Sequence, residues 1–523
     1  MDTNEHTQLG NSVRINNWQK LKNNNYVHFD NNGTLSITMQ RLDDDGMPVP
    51  LNLKMTAGQV CGMSGDYYGG NEVSLNLPTH KEFDESDEYD KYQQKLGKYL
   101  TSKPINDEEM DKLLDSYRRL ANPQTTIKEI ETIYKINNAR YIPFSETLNF
   151  YVQQLMFATR VRNYGDMLTR NMSHFTPWSI RAYAISHFLA LRYARLAYHL
   201  EQWSLDPNYH SENDEFLRIR DTLKPFPAKT TPTQLQDLSH RYTALSLGIE
   251  FFGFHYYTDH FAAGHGSFIG DLRVELPKRF GLWGSILVNS LHDEENKFSV
   301  NTVKPYDPTP DPKDAPIQAY GDGSFDLPAN HYNKNACLNG MHASLNDIQK
   351  ALQGEQTPNP AHYSGYEHMP DIDYNYRQHT PLILLGNDNK IYFRQELSTL
   401  KIVSPSLLEK IYQAPHEYGY QELSSKAQAL WLVMRLRVLP LSYKPKIQSL
   451  SAPELDDIVT DEKRRIPGRQ PQETPLLAPT TGVALKDWKK PLVTRPELVS
   501  HSIFRPDNHP EEALLEQDLQ PAL

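Results

Sequence analysis

Cysteine is almost missing from this chain. Only Cys61 and Cys337 occur in 523 residues, which excludes a disulfide framework and a cysteine-built zinc site. Basic residues are in the minority, 54 Lys and Arg against 65 Asp and Glu, for a net charge of −11. That balance argues against a general nucleic-acid binder, which needs a phosphate-neutralising surface. Long apolar runs are absent too. The best candidates, Gly281–Leu291 and Ala429–Leu441, are short, and the second contains Arg435 and Arg437, so no transmembrane segment is expected and any membrane contact is peripheral. Met1 to Asn17 is polar and shows no apolar core of a secretory leader. There is no Gly-x-Ser-x-Gly elbow with plausible partners, no Gly-rich phosphate loop and no His-Glu-x-x-His.

What the chain does have is His255-Tyr256-Tyr257-Thr258-Asp259-His260-Phe261-Ala262-Ala263-Gly264-His265. On one helix His255 and Asp259 share a face, and His265 lands about 80° around from His255. Burying these groups among Phe and Tyr is costly unless something binds them. A metal ion does so economically, since neutral imidazole and carboxylate suit zinc.

The length allows two or three average domains, or one large domain with appendages. The pattern is mainly α, with no strand–helix alternation and no internal repeat. Residues 80 to 135 read as polar helices. Residues 142 to 202 are strongly helical, with small and apolar residues at helical spacing through His187, Ala190, Ala194 and Ala197. Leu235 to Gly264 and Gly281 to Glu295 read as buried helices, and Ala336 to Leu352 as another. Val303–Pro316 is a Pro/Asp-rich loop, followed by a turn at Tyr320-Gly321-Asp322-Gly323. The Pro-rich last 80 or so residues read as extended or weakly ordered.

Further candidate ligands lie outside the first motif. His292 is followed by Asp293, Glu294, Glu295 and Asn296; a His with an acid three or four residues along a helix can grip one ion. A solvated acidic helix end is the competing reading. Asp66 sits between glycines in Gly65-Asp66-Tyr67-Tyr68-Gly69-Gly70, which suits a close approach to a metal and equally an ordinary turn. His174 precedes a Pro-initiated helix, and His187 on that helix is either a core histidine or a group orienting a ligand. His28, in Tyr26-Val27-His28-Phe29, is a single histidine without a local pattern.

Taken in order, Asp66, His174, His255-x3-Asp259-x5-His265 and His292 resemble the ligand string of the zinc-dependent phospholipases C, a family related in fold to zinc-dependent single-strand nucleases. The Gly65–Gly69, His174-Phe175, Ala182-Tyr183-x3-His187 and His292–Asn296 segments narrow the likeness to a bacterial and fungal metallophospholipase C subgroup that includes translocated bacterial effectors. The resemblance covers roughly residues 20 to 355.

It implies an all-α, multi-helix catalytic domain over 20–375, with an insertion at about 80–140 and a C-terminal extension over 376–523. It implies two or three Zn2+ ions: Asp66, His174, His255 and Asp259 around the first, Asp259 bridging to a second with His28, and His265 and His292 on a third with one further carboxylate. The family often has Glu where this chain has Asn296, so Glu295 or Asp293 stands in. His80 is an alternative to His174. The implied reaction is attack of water at phosphorus, with Asp66 orienting or deprotonating it, to release diacylglycerol and a phosphorylated head group from phosphatidylcholine or related phospholipids at a membrane surface. A nuclease or phosphatase on the same metals, and a non-catalytic binding effector, are the alternatives. The resemblance also implies a protein exported from the bacterial cytoplasm into a host cell without a signal peptide, its acidic tail 509–519 being read by a secretion system.

Overall fold

The computed structural model describes residues 1–15, 19–69, 104–144, 146–161, 172–176, 178–265, 267–298, 300–302, 317–321, 323–370, 379–437 and 445–448. The tail segment 509–519, His80 and Asp322 lie outside them.

Two 28-residue helices form the centre, α6 (Trp178–Leu205) and α8 (Pro232–Asp259). Thr231 caps α8 and Pro232 opens it, where a missing N–H does no harm. Small residues let the two helices approach. Ser186 Oγ donates to Ile249 O at 2.6 Å, Ser246 Oγ to Ala190 O at 2.7 Å and Ser239 Oγ to Ala197 O at 2.7 Å. The falling and rising numbers make the pair antiparallel, so the start of α6 and the end of α8 meet. A Cβ on Gly253 would lie 2.4 Å from Ser186 Oγ, so the crossing requires glycine.

Around this pair lie α1 (Thr3–Ser12), α2 (Ala57–Met63), α3 (Asp107–Leu120), α4 (Ile127–Asn138), α5 (Glu146–Arg160), α7 (Asp214–Leu223), α9 (Ser267–Phe280), α10 (Leu282–Phe298) and α11 (His331–Leu352). Helix α1 starts with a reciprocal cap: the Asp2 carboxylate accepts from Glu5 N, and the Glu5 carboxylate accepts from Asp2 N. It packs backbone to backbone on α2, where a Cβ at Gly58 would lie 2.0 Å from Thr7 O.

The molecule is mostly helical, and small sheets depart from the all-α expectation. Strands β1 (Val27–Phe29), β2 (Leu35–Leu42) and β3 (Pro48–Thr56) form an antiparallel sheet, for which the sequence pattern gives no expectation. Ile37 and Met39 are buried on it, and Gly46, with φ 75°, makes the β2–β3 turn. Strands β4 (Val300–Thr302) and β5 (Ile317–Ala319) pair antiparallel.

Beyond residue 379, β6 (Ile383–Leu385), β7 (Ile391–Arg394) and β9 (Tyr420–Glu422) form a second antiparallel sheet. A parallel pair, β8 (Thr399–Leu400) and β10 (Lys446–Ile447), lies beside it, with helices α12 (Pro405–Gln413) and α13 (Lys426–Arg437). Leu382, Ile383, Leu432 and Leu436 belong to the same buried core as Leu291 and Met369. Among the described residues no helix is long and apolar enough to cross a membrane.

Candidate metal centre

Asp259 is the last residue of α8 and is fully buried. Its Oδ2 lies 2.7 Å from His174 Nδ1 and 3.4 Å from His255 Nε2. Its Oδ1 accepts from the Met1 amino group at 2.8 Å and lies 3.2 Å from His6 Nε2. His265 approaches the same oxygen at 3.5 Å through Nδ1, and its Nε2 lies 3.2 Å from the Met1 nitrogen. Asp66 stands at the rim, partly exposed, with Oδ1 3.9 Å from His255 Nε2 and 4.0 Å from His174 Nδ1.

Each element has a reason to deliver its side chain here. His174 sits in the turn just before α6, at the end where α8 finishes. His265 does not continue the α8 helix as the sequence pattern expects. The helix stops at Asp259, and a 3-10 turn over Ala263–His265 folds the chain back on it. That fold-back requires Gly264, whose added Cβ would lie 2.4 Å from Asn296 Nδ2. Asp66 lies in a π-helical stretch, Ser64–Tyr68, a distortion frequent at functional sites. A Cβ on Gly65 would lie 2.3 Å from His255 Cδ2 and 2.5 Å from His174 Cε1, so only glycine lets this backbone pass the imidazoles.

The second ring nitrogens settle the tautomers. His255 Nδ1 donates to Cys61 O at 2.9 Å, and His265 Nδ1 donates to His174 O at 2.8 Å. His6 Nδ1 lies 2.7 Å from Thr258 Oγ1, a hydroxyl whose own proton goes to backbone carbonyls of α8. In each ring the proton is therefore on Nδ1, and Nε2 turns a lone pair into the cluster. Histidines that ligate metals are held in this way.

The electrostatics agree. Burial foremost, with the Met1 amine beside it, holds His255 well below its usual range, in the neutral form. Burial alone would raise the Asp259 carboxyl. His265, the Met1 amine, His255 and His6 outweigh it and keep Asp259 ionised. Burial raises Asp66, against the pull of His174 and His6. The donor atoms fall into two compact triads, His6/Asp66/His255 and His174/Asp259/His265, each with its atoms within 4.8 Å of one another. Nitrogen and carboxylate donors around a small buried space fit zinc.

Of the residues expected from the sequence, Asp66, His174, His255, Asp259 and His265 come together. His292 stands beside them, its ring centroid 5.0 Å from that of His265. His28 does not join them. It pairs with Ser36 across the β1–β2 ladder, with Nε2 3.1 Å from Thr38 Oγ1. His6, unmarked in the sequence reading, takes the place expected of His28. Glu295 also turns elsewhere, toward His379, with its Oε2 3.7 Å from His379 Nε2. Asp293 faces Arg437 at 3.1 Å. Asn296 is a packing residue: its Oδ1 accepts from Gly264 N at 2.5 Å, and a Cβ on Gly321 would collide with it.

His187 orients none of these ligands. Its Nδ1 lies 2.9 Å from Glu250 Oε2 and its Nε2 is 3.7 Å from Asp347, in a separate buried network with Ser344. No family model, curated protein or solved structure matches the chain.

Proposed function

We propose that this chain is a zinc-dependent phosphodiesterase of the phospholipase C type, with a helical fold of that class, cleaving glycerophospholipids to diacylglycerol and a phosphorylated head group. One observation carries the reading: three histidines with anchored Nδ1–H groups turn Nε2 into one buried cluster, where His6 and His255 face the Asp259 carboxylate and Asp66 stands partly exposed at the rim. Bound zinc supplies positive charge for the phosphate oxygens and acidifies a water at the site. His6, His174, His255, His265, Asp66 and Asp259 would hold two ions, with His292 beside a third position.

The protein's own groups divide the remaining work. Asp259 stays ionised and holds His174, His255 and His6 in register from one buried point. Asp66 has a carboxyl raised by burial, sits where solvent enters, and is the group placed to take the proton of the attacking water. The depressed basicity of His255 keeps its Nε2 lone pair available as a ligand.

A lipid substrate is favoured by the surface beside the rim. The inner face of α5 packs on the rim, with Phe157 and Tyr67 ring centroids 5.6 Å apart. Its outer side continues the apolar stripe begun by Phe144, which is 84% exposed, with Leu148 at 46% and Leu155 at 63%. Exposed apolar groups at this spacing suit a lipid surface, and the net charge of −11 disfavours a nucleic acid.

The test is hydrolysis of phosphatidylcholine vesicles and of single-stranded DNA, with chelator and after zinc is restored. Chelator-sensitive release of phosphocholine is expected. Cleavage of DNA alone would make the protein a nuclease, and zinc binding without any hydrolysis would make it a binding protein.

A further inference from the structure

The stretches of backbone that carry His174 and His265 are bonded to each other. His265 Nδ1 donates to His174 O at 2.8 Å, and Thr176 N donates to His265 O at 3.1 Å. A further link seats this pair on the end of α8. We propose that His260 and Thr176 are positioning residues of the metal centre: the His260 imidazole, one residue beyond Asp259, grips Thr176 and through it sets the register of His174 and His265. This role rests on the metal assignment proposed for the Asp259 cluster.

The direction of each proton in the link is fixed. Burial favours the uncharged His260 ring. Its Nε2 lies 2.6 Å from Pro370 O, a carbonyl that can only accept, so the ring proton is on Nε2. Nδ1 is then a bare lone pair, and it accepts from Thr176 Oγ1 at 3.0 Å. With its one proton committed, the Thr176 hydroxyl can only accept from Ser179 Oγ, 3.4 Å away. The chain of donors therefore runs from Ser179 on α6 through Thr176 and His260 to Pro370. All three side chains in it are buried, so removing the Thr176 hydroxyl leaves the Nδ1 lone pair buried without its donor.

The link acts at the base of a ligand contact. His260 adjoins Asp259, and Thr176 lies two residues after His174, whose Nδ1 stands 2.7 Å from Asp259 Oδ2. Slack between His260 and Thr176 thus moves an imidazole against its carboxylate. Helix α9 closes over the other side of the same segment, where a Cβ on Gly270 would lie 2.9 Å from Thr176 O. Partners that hold ligands from outside govern metal affinity nearly as strongly as the ligands do. The far end of the link, Pro370, follows the 3-10 turn Ser364–His368, so a segment between α11 and the second sheet also helps to fix the centre.

The experiment compares full-length wild type, Thr176→Val, Thr176→Ser and His260→Gln. Zinc affinity is read by competition with a chromophoric chelator, site geometry by the visible absorption of bound Co2+, and ordinary structural loss by Tm. Valine keeps the shape of Thr176 and removes the donor, serine keeps the donor, and glutamine keeps an N–H for Pro370 while removing Nδ1. Thr176→Val and His260→Gln are expected to bind zinc about ten- to a hundredfold more weakly, with shifted Co2+ bands, and Thr176→Ser to match wild type. A lower Tm with wild-type affinity and spectrum in Thr176→Val and His260→Gln overturns the positioning role, and so does a loss in Thr176→Ser equal to that in Thr176→Val. Should either Thr176→Val or His260→Gln fail to fold, the other decides by the same readings. A wild-type protein that takes up neither zinc nor Co2+ overturns the metal assignment itself, and this role with it.

Discussion

His6 Nε2 lies 3.2 Å from Asp259 Oδ1, and the His6 ring stacks on His255 with centroids 4.0 Å apart. A residue of the first helix therefore completes a cluster whose other members come from the middle of the chain. His6→Ala should lower bound zinc by one ion per chain and reduce kcat/KM about a hundredfold, roughly 2.7 kcal/mol of transition-state stabilisation. Metal analysis and vesicle hydrolysis on the same sample test this; full zinc content in the variant would remove His6 from the ligand set.

Gly65→Ala is expected to act through the same cluster. The added methyl overlaps His255 and His174, so the π-helical turn must move and take Asp66 with it. The chain should fold with near-normal helicity and bind zinc at least tenfold more weakly, read from competition with a chromophoric chelator. Wild-type affinity would show that the turn yields without disturbing the imidazoles.

His187 makes the alkaline side of stability testable. Burial by itself would depress this imidazole, but Glu250 and Asp347 overcome it and hold it at about 9. A raised folded value means the stabilisation is complete below about pH 6.5, fades as pH climbs and is gone above about pH 9. The contribution is at most about 3.4 kcal/mol. Wild-type Tm should fall between pH 7 and 9.5 more steeply than that of His187→Gln. Parallel curves would show that His187 is neutral in the folded protein.

Arg181 and Glu109 form a buried bidentate pair at 3.0 and 2.7 Å, which ties α3 to α6. Arg181→Met should destabilise by about 3–5 kcal/mol, because it strands the carboxylate. Adding Glu109→Gln should return much of that loss. Urea denaturation of the single and double variants gives both numbers.

The sequence carried the centre of the site and not its edges. The spacing of His255 and Asp259 was legible because both lie on one regular helix whose neighbours are uniformly apolar. His265 was legible as a ligand type but not in its placement, since the fold-back at Gly264 depends on Asn296, a contact between distant segments. His6 was missed because a polar opening segment gives no burial signal. Yet Asp2-Thr3-Asn4-Glu5 has the form of a helix cap and could have marked α1. His28 and Glu295 misled for the opposite reason. Their local context fits a ligand, and only tertiary packing turns one onto a sheet and the other toward His379. The sheet over Val27–Thr56 was hidden by Asn and Gly residues that read as punctuation and in fact make its turns.

The antiparallel pairing of α6 and α8 also bears on the order of folding. It brings His174 and Asp259 together, 85 residues apart, by zipping one helical hairpin. His6 and the Thr258 hydroxyl that orients it are 252 residues apart, so that contact waits for a much larger loop to close. Each doubling of a loop adds only about 0.6 kcal/mol of closure entropy, so the delay is one of search time more than of energy. A chain interrupted before α1 docks would present a half-built cup of two helix ends, and tight uptake of the ion would mark the moment at which the first helix arrives.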